Sequence, residues 1–210
     1  MGVNDLNVVG GDVALDLVNT VEPRVPGSFD GNEHLRSPED LVTWSLRVGL
    51  LTSHEAEEVR TAWRSADRAE AGLSAALELR EATFTVMLAE LGTLAGDVEP
   101  ALSVLQRDWA KAVARSALSL TPSGVSGDRL QIGTDPSTLI IDRLAHAAVG
   151  LLRSLDVRQL KACPLDEGGC GWLFLDKSRN NSRRWCSMED CGGRAKARRL
   201  TARRRSARAH

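Results

Sequence analysis

All four cysteines of this chain lie within 29 consecutive residues, and this cluster constrains the fold more than any other feature. Cys163, Cys170, Cys186 and Cys191 are spaced as C-x6-C, fifteen intervening residues and C-x4-C. Two close pairs separated by a hairpin-sized stretch can bring four thiolates to one tetrahedral zinc ion. Because four thiolates leave no open coordination position for water, we expect one structural zinc ion and no Lewis-acid catalysis.

Glycine follows two of the cysteines, at Gly171 and Gly192. A positive φ there would let the backbone turn back and point N–H groups at the sulfur. The alternatives to zinc are two disulfides or four unrelated buried thiols. The first residues lack a basic region followed by an apolar core, so no export signal supports disulfides, and the clustering argues against unrelated thiols. We therefore expect a cytoplasmic zinc protein with no membrane partner, since charged residues interrupt the longest apolar runs.

The net charge of −1 conceals a strong asymmetry along the chain. From Leu151 onward there are 15 Lys and Arg against 6 Asp and Glu, a net charge of +9, which leaves the first 150 residues at −10. An acidic body with a basic C-terminal part is typical of a protein that binds a polyanion at one end.

The positive charge is concentrated around and after the cysteines. The stretch that follows Cys191 has high helix propensity, and no Asp or Glu follows Asp190, so its arginines lack partners four residues away and repel one another. Such a helix favours an external polyanion, because guanidinium groups match phosphate oxygens. Trp172 and Trp185 either form a small core around the metal, which we favour, or stack on bases. The candidate nucleic-acid contacts are Arg183, Arg184, Arg194, Lys196, Arg198, Arg199 and Arg203.

Hydrophobic periodicity predicts a mainly α fold with short β elements (α+β), in which a helical N-terminal domain precedes a small zinc-ribbon-like module with a basic helix. Ser37 as cap and Pro38 in the first turn predict one helix that runs to about Gly49, and the capping-box pair Thr52 and Glu55 predicts the start of the next. The segment that follows is long enough for two helices, divided near Gly72.

Further elements are predicted from residue 101 onward. Helices are expected over residues 101–117 and 137–155, with a β-hairpin over residues 118–133 between them. Near the cysteines, Trp172 to Leu175 form a predicted strand, followed by a polar turn and a return strand that leads into the second cysteine pair.

Two segments resemble known families. The stretch CGWLFLDKSRNNSRRWCSMEDCGGRAKARR resembles the CGNR zinc finger, and GGDVALDLVNTV resembles the start of the ABATE domain, which precedes this finger in bacterial stress-induced transcription regulators. The resemblance implies an ABATE-like helical sensor or interaction domain over residues 1–156 and a CGNR-type finger over residues 157–210. Gly193 stands where the family name has asparagine, so Arg194 matches the motif and position 193 does not.

Four polar or aromatic residues of the N-terminal part are candidates for a ligand pocket: Asp16, Asn19, Trp44 and Arg80. The alternative, which we favour for Asp16 and Asn19, is that their side chains cap or cross-link neighbouring segments. An enzyme is not predicted, because the histidines are dispersed and no phosphate-binding loop or nucleophile elbow is present.

The sequence therefore predicts a DNA-binding transcription regulator. Its N-terminal domain would bind an unknown small-molecule effector or form a homodimer. A zinc-stabilised protein-interaction module and an RNA-binding protein are the alternative functions.

Overall fold

The computed structural model describes residues 2–27, 31–118 and 130–208, with side chains described up to residue 201. Within these residues the chain is mainly α-helical, as predicted, and contains three small antiparallel sheets of two strands each. The helices are α1 (Val13–Val18), α2 (Pro38–Arg47), α3 (Ser53–Ala62), α4 (Ala66–Glu90), α5 (Glu99–Ala114), α6 (Leu139–Ser154) and α7 (Gly193–Arg208). The strands are β1 (Val21–Glu22), β2 (Asn32–Glu33), β3 (Ala117–Leu118), β4 (Leu130–Gln131), β5 (Leu160–Ala162) and β6 (Leu173–Leu175).

The chain divides into two compact units. The first, which we call the helical unit, comprises Met1–Leu6 and His34–Ser154, and the second, which we call the zinc unit, comprises Asn7–Glu33 and Leu155–His210. In this division residues 7–33 lie with the cysteine-containing segment. The domain boundary expected between residues 156 and 157 stays a prediction.

Side-chain caps set the helix starts in the helical unit. The Ser37 hydroxyl accepts a hydrogen bond from the amide of Asp40 at 3.2 Å, and Pro38 occupies the first helical position of α2. Thr52 and Glu55 form the predicted reciprocal capping box of α3, with the Thr52 amide donating to the Glu55 carboxylate at 2.8 Å.

The predicted division at Gly72 is wrong, because α3 and α4 separate at residues 63–65 and Gly72 lies inside α4. The absence of a side chain at Gly72 serves packing: a Cβ there would lie 2.5 Å from Cζ2 of Trp63. The core of this unit forms where α4, α5 and α6 pack together. Its fully buried side chains include Leu79, Met87, Ile140 and Leu144.

The predicted hairpin over residues 118–133 falls partly outside the described residues. Its ends are described, since β3 pairs with β4 in antiparallel register, with Ala117 opposite Gln131 and Leu118 opposite Leu130. Residues 119–129 lie outside the described part of the chain. In that part, none of the helices is both long and apolar enough to cross a membrane.

The strand predicted near the cysteines is present as β6, but its partner is not the one predicted. β6 pairs with β5, which precedes the first cysteine, and Leu160 lies opposite Leu175. The return strand does not form, because the segment after β6 turns around Asp176. The carboxylate of Asp176 is fully buried and accepts hydrogen bonds from Lys161 Nζ at 2.5 Å and from the amide of Arg183 at 2.8 Å.

Candidate zinc centre and basic surface

The zinc unit brings its four cysteines together at the ends of short elements. Cys163 follows β5 and Cys170 precedes β6, while Cys191 lies in a single turn of π-helix, Met188–Gly192, that leads into α7. The four Sγ atoms all lie within 4.8 Å of one another, and all four residues are buried. The Sγ atoms of Cys170 and Cys186 are 3.4 Å apart, and those of Cys186 and Cys191 are 3.6 Å apart.

These separations fit a tetrahedral zinc ion. With Zn–S bonds of about 2.3 Å, a tetrahedron places sulfur atoms about 3.8 Å apart. The thiols also influence one another, since hydrogen bonds from Cys170 and Cys186 lower the pKa of Cys163, while the hydrogen bond with Cys163 raises the pKa of Cys170. A cluster this close cannot hold four negative charges by itself, and a divalent cation supplies the compensating charge. The donor set therefore fits one structural zinc ion.

Backbone geometry between the first two cysteines depends on glycine. Gly171 has a φ of +78° and donates its amide to the carbonyl of Cys163 at 3.1 Å, so the positive φ predicted there is confirmed. A Cβ at Gly169 would lie 2.6 Å from the sulfur of Cys163, so this position also excludes a side chain. The same prediction for Gly192 is wrong, because this residue belongs to the π-helix and donates to the carbonyl of Ser187.

Residues 7–33 complete the zinc unit through hydrogen bonds to the cysteine-containing segment. The amide of Arg24 donates to the carbonyl of Cys170 at 2.6 Å, and the indole of Trp172 donates to the carbonyl of Val21 at 2.7 Å. Asn19 forms two hydrogen bonds with the backbone of Leu173. The zinc ligands are therefore held by two segments that are far apart in the sequence.

Arg194 contacts a metal ligand directly. Its Nη2 lies 3.0 Å from Sγ of Cys191 and 3.3 Å from a carboxylate oxygen of Glu22. The hydrogen bond to Cys191 raises the pKa of Arg194 above its already high value. Donors of this kind orient a ligand thiolate and offset part of its charge.

The Arg183 side chain contacts the segment around the third ligand. Its guanidinium donates to the carbonyl oxygens of Trp185, at 3.0 Å, and of Cys186, and it lies over the ring of Phe174 with 4.4 Å between Cζ and the ring centroid. These contacts fix the backbone at the third ligand. Arg183 is only partly exposed, unlike its neighbour Arg184.

Four of the other candidate nucleic-acid contacts form an exposed surface beside the zinc centre. The carboxylate of Glu167 pairs with both Arg184 and Arg199, and the Arg198 guanidinium lies against Gly168, where a Cβ would collide with it. We call the set that consists of Arg184, Lys196, Arg198 and Arg199 the basic surface. The backbone of Arg203 lies in α7, but its side chain is outside the described residues.

The two tryptophans nearest the ligands are buried. Trp172 is 4% exposed and Trp185 is 6% exposed, so both contribute apolar surface to the small core around the cysteines, as the favoured interpretation predicts. Their faces are not available as platforms for stacking bases.

The four candidate pocket residues are divided between the units. Asp16 and Asn19 belong to the zinc unit, where Asp16 accepts a hydrogen bond from the amide of Gly10 at 2.7 Å and burial raises its pKa. Trp44 and Arg80 are buried in the helical unit, where Arg80 Nε donates to Glu81 at 2.9 Å. The contacts of Asp16 and Asn19 are those of cross-linking side chains. A ligand pocket that includes some of these four residues stays a prediction.

The fold and the four-cysteine centre define a zinc-finger protein that also contains a helical unit. The model of the CGNR zinc finger matches residues 159–204, and the ABATE model, described as "Putative stress-induced transcription regulator", matches residues 11–155. The chain therefore belongs to the ABATE family and carries a CGNR zinc finger that holds one structural zinc ion. Neither family description names an enzymatic activity. No curated protein shows significant similarity to the chain.

Proposed function

We propose that this protein is a DNA-binding transcription regulator whose basic surface contacts the phosphate backbone. The observation that carries the proposal is the convergence of Arg184, Arg198 and Arg199 on the turn formed by Glu167 and Gly168. Three arginines from two segments meet there beside a metal centre that fixes both segments. A rigid group of guanidinium donors is suited to phosphate oxygens, which accept several hydrogen bonds at once.

Glu167 does not remove the charge of this surface. One carboxylate contacts two arginines, and Lys196 and Arg198 are exposed and form no ion pair within the described residues. The side chains of Arg184 and Arg199 are 57% and 60% exposed, whereas that of Glu167 is 22% exposed, so a phosphate group can reach both guanidinium groups from the solvent while they stay beside Glu167. Glu167 thus holds Arg184 and Arg199 close together in the absence of nucleic acid.

Arg183 and Arg194 support this function indirectly. Both were candidates for nucleic-acid contacts, but their guanidinium groups contact the backbone of Cys186 and the sulfur of Cys191, respectively. We propose that they position the finger, while Arg184, Lys196, Arg198 and Arg199 contact phosphates, together with Arg203 further along α7.

RNA binding and the binding of acidic proteins are the two alternative functions. An RNA-binding protein that stacks bases on tryptophan is disfavoured by the burial of Trp172 and Trp185. A module that binds acidic proteins is favoured by the pairing of Glu167 and Glu22 with arginines of this region, since these pairs show that carboxylates fit there. The acidic partner would then compete with DNA for the same residues.

Equilibrium binding to duplex DNA and to single-stranded RNA at about 50 and 200 mM salt tests the proposal. If about five phosphates are contacted, log K against log salt has a slope of about −4.5 for duplex DNA. A variant that combines Arg184→Gln, Arg198→Gln and Arg199→Gln loses about three phosphate contacts. Its slope is therefore expected to be about −2. Arg158→Gln is the matched control, because Arg158 is an exposed arginine of the zinc unit that pairs with Asp156 and does not belong to the basic surface. Absence of DNA binding at the lower salt concentration would contradict the proposal.

The helical unit has a separate role in this proposal. It would bind an effector or form a homodimer, either of which could change the affinity of the finger for DNA. A protein with this function would act in the cytoplasm, where the DNA of a bacterium lies.

A further inference from the structure

The helical unit contains a cavity of about 660 Å³ between α4, α5 and the segment that begins α6. This volume is within the range of small-molecule sites, about 300–1,000 Å³. One wall is apolar and consists of small residues of α4, Ala71, Gly72 and Ala75, and the charged part is formed by Arg68, Lys111 and Arg115. The cavity therefore offers an apolar surface and a group of cations to the same ligand.

The wall next to Gly72 is held open by fixed contacts. The ring of Trp63 packs against Gly72, and its Nε1 donates to the carbonyl of Ser137 at 2.9 Å. Ser137 is fixed in turn by the carboxylate of Asp135, which accepts its amide at 2.9 Å and its hydroxyl at 2.8 Å. These bonds order the edge of the cavity before any ligand binds, which lowers the entropic cost of binding.

Arg115 is the most strongly oriented of the cations. Its Nε and Nη2 both donate to the carboxylate of Asp142, which is fully buried and also accepts the hydroxyl of Thr138 at 2.9 Å. The Arg115 side chain is nevertheless 31% exposed and lines the cavity, and its Nη1 makes no hydrogen bond within the described residues. A buried carboxylate is costly to desolvate, and here it fixes a guanidinium with one nitrogen available to a ligand.

The acids of the cavity are already engaged by the protein. Both carboxylate oxygens of Asp108 accept hydrogen bonds from Arg107 at 2.8 Å, and Lys111 Nζ lies 3.7 Å from the same group. The hydrogen bonds from Ser137 hold the pKa of Asp135 below the usual range, and the charges of Arg115 and Arg68 lower it further, so this carboxylate stays negatively charged. The side chain of Lys111 is 56% exposed, Arg68 is exposed, and both residues line the cavity. The lining thus carries three cations, Arg68, Lys111 and Arg115, against the two carboxylates of Asp108 and Asp135, and this excess of one positive charge favours a ligand with a single negative charge.

We propose that this cavity binds a small organic monocarboxylate with an aliphatic or aromatic body. The carboxylate accepts hydrogen bonds from Arg115 Nη1 and Lys111, and the body lies on Ala71 and Ala75. As an effector site it rests on the proposed function, since only a regulator needs to couple this ligand to DNA. Carboxylate binding itself is measured without DNA, so its failure and the failure of the regulator function are separate results.

Calorimetric titration of the full-length, zinc-loaded protein with octanoate, 1-octanol and octylammonium tests the site. Octanoate is expected to bind with a Kd below about 1 mM, and octanol about tenfold more weakly, because it lacks the charge-assisted hydrogen bonds. Octylammonium is expected not to bind. Binding of octanoate should also change the fluorescence of Trp63, which lies against the cavity wall. Equal affinity for octanoate and octanol, or no octanoate binding at that concentration, would overturn the proposal.

Two variants locate the binding. Ala71→Leu fills the apolar wall and is expected to weaken octanoate binding at least about tenfold, whereas Ala110→Leu, on the exposed side of α5 and outside the cavity lining, leaves it unchanged. Lys111→Gln is expected to weaken octanoate at least about threefold without affecting octanol, and Arg153→Gln is its control. Unchanged octanoate binding in both cavity variants would place the ligand elsewhere and overturn the assignment.

Discussion

The side chain of Asn19 pairs with the backbone of Leu173 as a strand would. Its amide nitrogen donates to the Leu173 carbonyl at 2.8 Å, and its oxygen accepts the Leu173 amide at 2.9 Å, across 154 positions of the sequence. Leu173 is the first residue of β6, between Cys170 and the turn around Asp176. This single side chain therefore connects residues 7–33 to the strand that positions the zinc centre.

Asn19→Ala is expected to destabilise the zinc unit strongly. The substitution leaves the buried N–H and C=O of Leu173 without partners, and each such group costs about 1–3 kcal/mol. The free energy of unfolding of the zinc-loaded protein, measured by urea titration, should fall by about 2–5 kcal/mol. Asn180→Ala, in the exposed loop after β6, is the control and should change it by less than about 0.5 kcal/mol. A small effect of Asn19→Ala would mean that this pairing is not required.

Residues 157–210 alone are expected to bind zinc more weakly than the full chain. The isolated fragment lacks Val21 and Arg24, whose backbone groups bond with Trp172 and Cys170. In small metal domains the folding free energy and the metal affinity are coupled, so loss of these bonds lowers the affinity. Competition with a chelator measures the zinc dissociation constant, and addition of residues 7–33 through a flexible linker should restore it. Equal affinities of the fragment and the full chain would show that the finger folds by itself.

Opposite effects are expected for alanine at two adjacent glycines. Gly193 begins α7 with helical φ and ψ of −63° and −47°, and a Cβ there would meet only the Met188 carbonyl at 3.6 Å. Gly193→Ala should therefore stabilise the zinc-loaded protein by about 0.5 kcal/mol, through the lower entropy of the unfolded chain. Gly192→Ala should destabilise it, because its Cβ would lie 3.2 Å from the ring of Trp185, which is buried.

Thermal unfolding of the two zinc-loaded variants in parallel provides the comparison. A change in the unfolding temperature in the same direction for both variants would contradict the packing around these two glycines. Gly193→Asn, which introduces the family residue, is expected to be tolerated, since there is space for its Cβ.

Stability should depend on pH through Glu55 in the helical unit. The carboxylate accepts hydrogen bonds from Arg143, which lower the pKa of Glu55 to about 2 from its ordinary value of 4.5. Because the folded pKa is the lower one, the stabilisation is present above pH 4.5 and is lost as pH falls toward 2.

Glu55→Gln should remove this part of the pH dependence, whereas Glu58→Gln, on the exposed face of α3, should not. The free energy of unfolding of each variant and of the native protein is measured with denaturant from pH 6 down to about 3. The difference between them separates the contribution of Glu55 from the effect of zinc release in acid. Carbon-13 NMR of the Glu55 carboxyl provides the pKa directly. A titration midpoint near 4.5 would contradict the pairing with Arg143.

Local features of the fold could be predicted from the sequence because they depend on neighbouring residues. The caps at Ser37 and Thr52 satisfy amides three residues away, and the four-cysteine spacing is enough to indicate a single metal centre. The sequence did not reveal the membership of residues 7–33 in the zinc unit. Its contacts are hydrogen bonds between distant segments, most of them between a side chain and the backbone, which produce no periodic pattern in the sequence.

For the arginines too, the sequence shows some properties and only the tertiary structure shows others. Their number and the absence of nearby acids are visible in the sequence and indicate a polyanion partner. Only the tertiary structure separates Arg183 and Arg194, which contact the metal-binding segment, from Arg184 and Arg199, which meet at Glu167. Glu167 lies 17 residues before Arg184 and 32 before Arg199.

The sequence by itself determined the metal centre, the helical class and the concentration of positive charge near the C-terminal end, because each follows from composition, spacing or local capping. The tertiary structure decided which segments surround the zinc ion, which arginines face outward and where the helical unit leaves a cavity. These depend on distances between residues far apart in the chain, and hydrogen bonding and packing fix such distances only when the whole unit is folded.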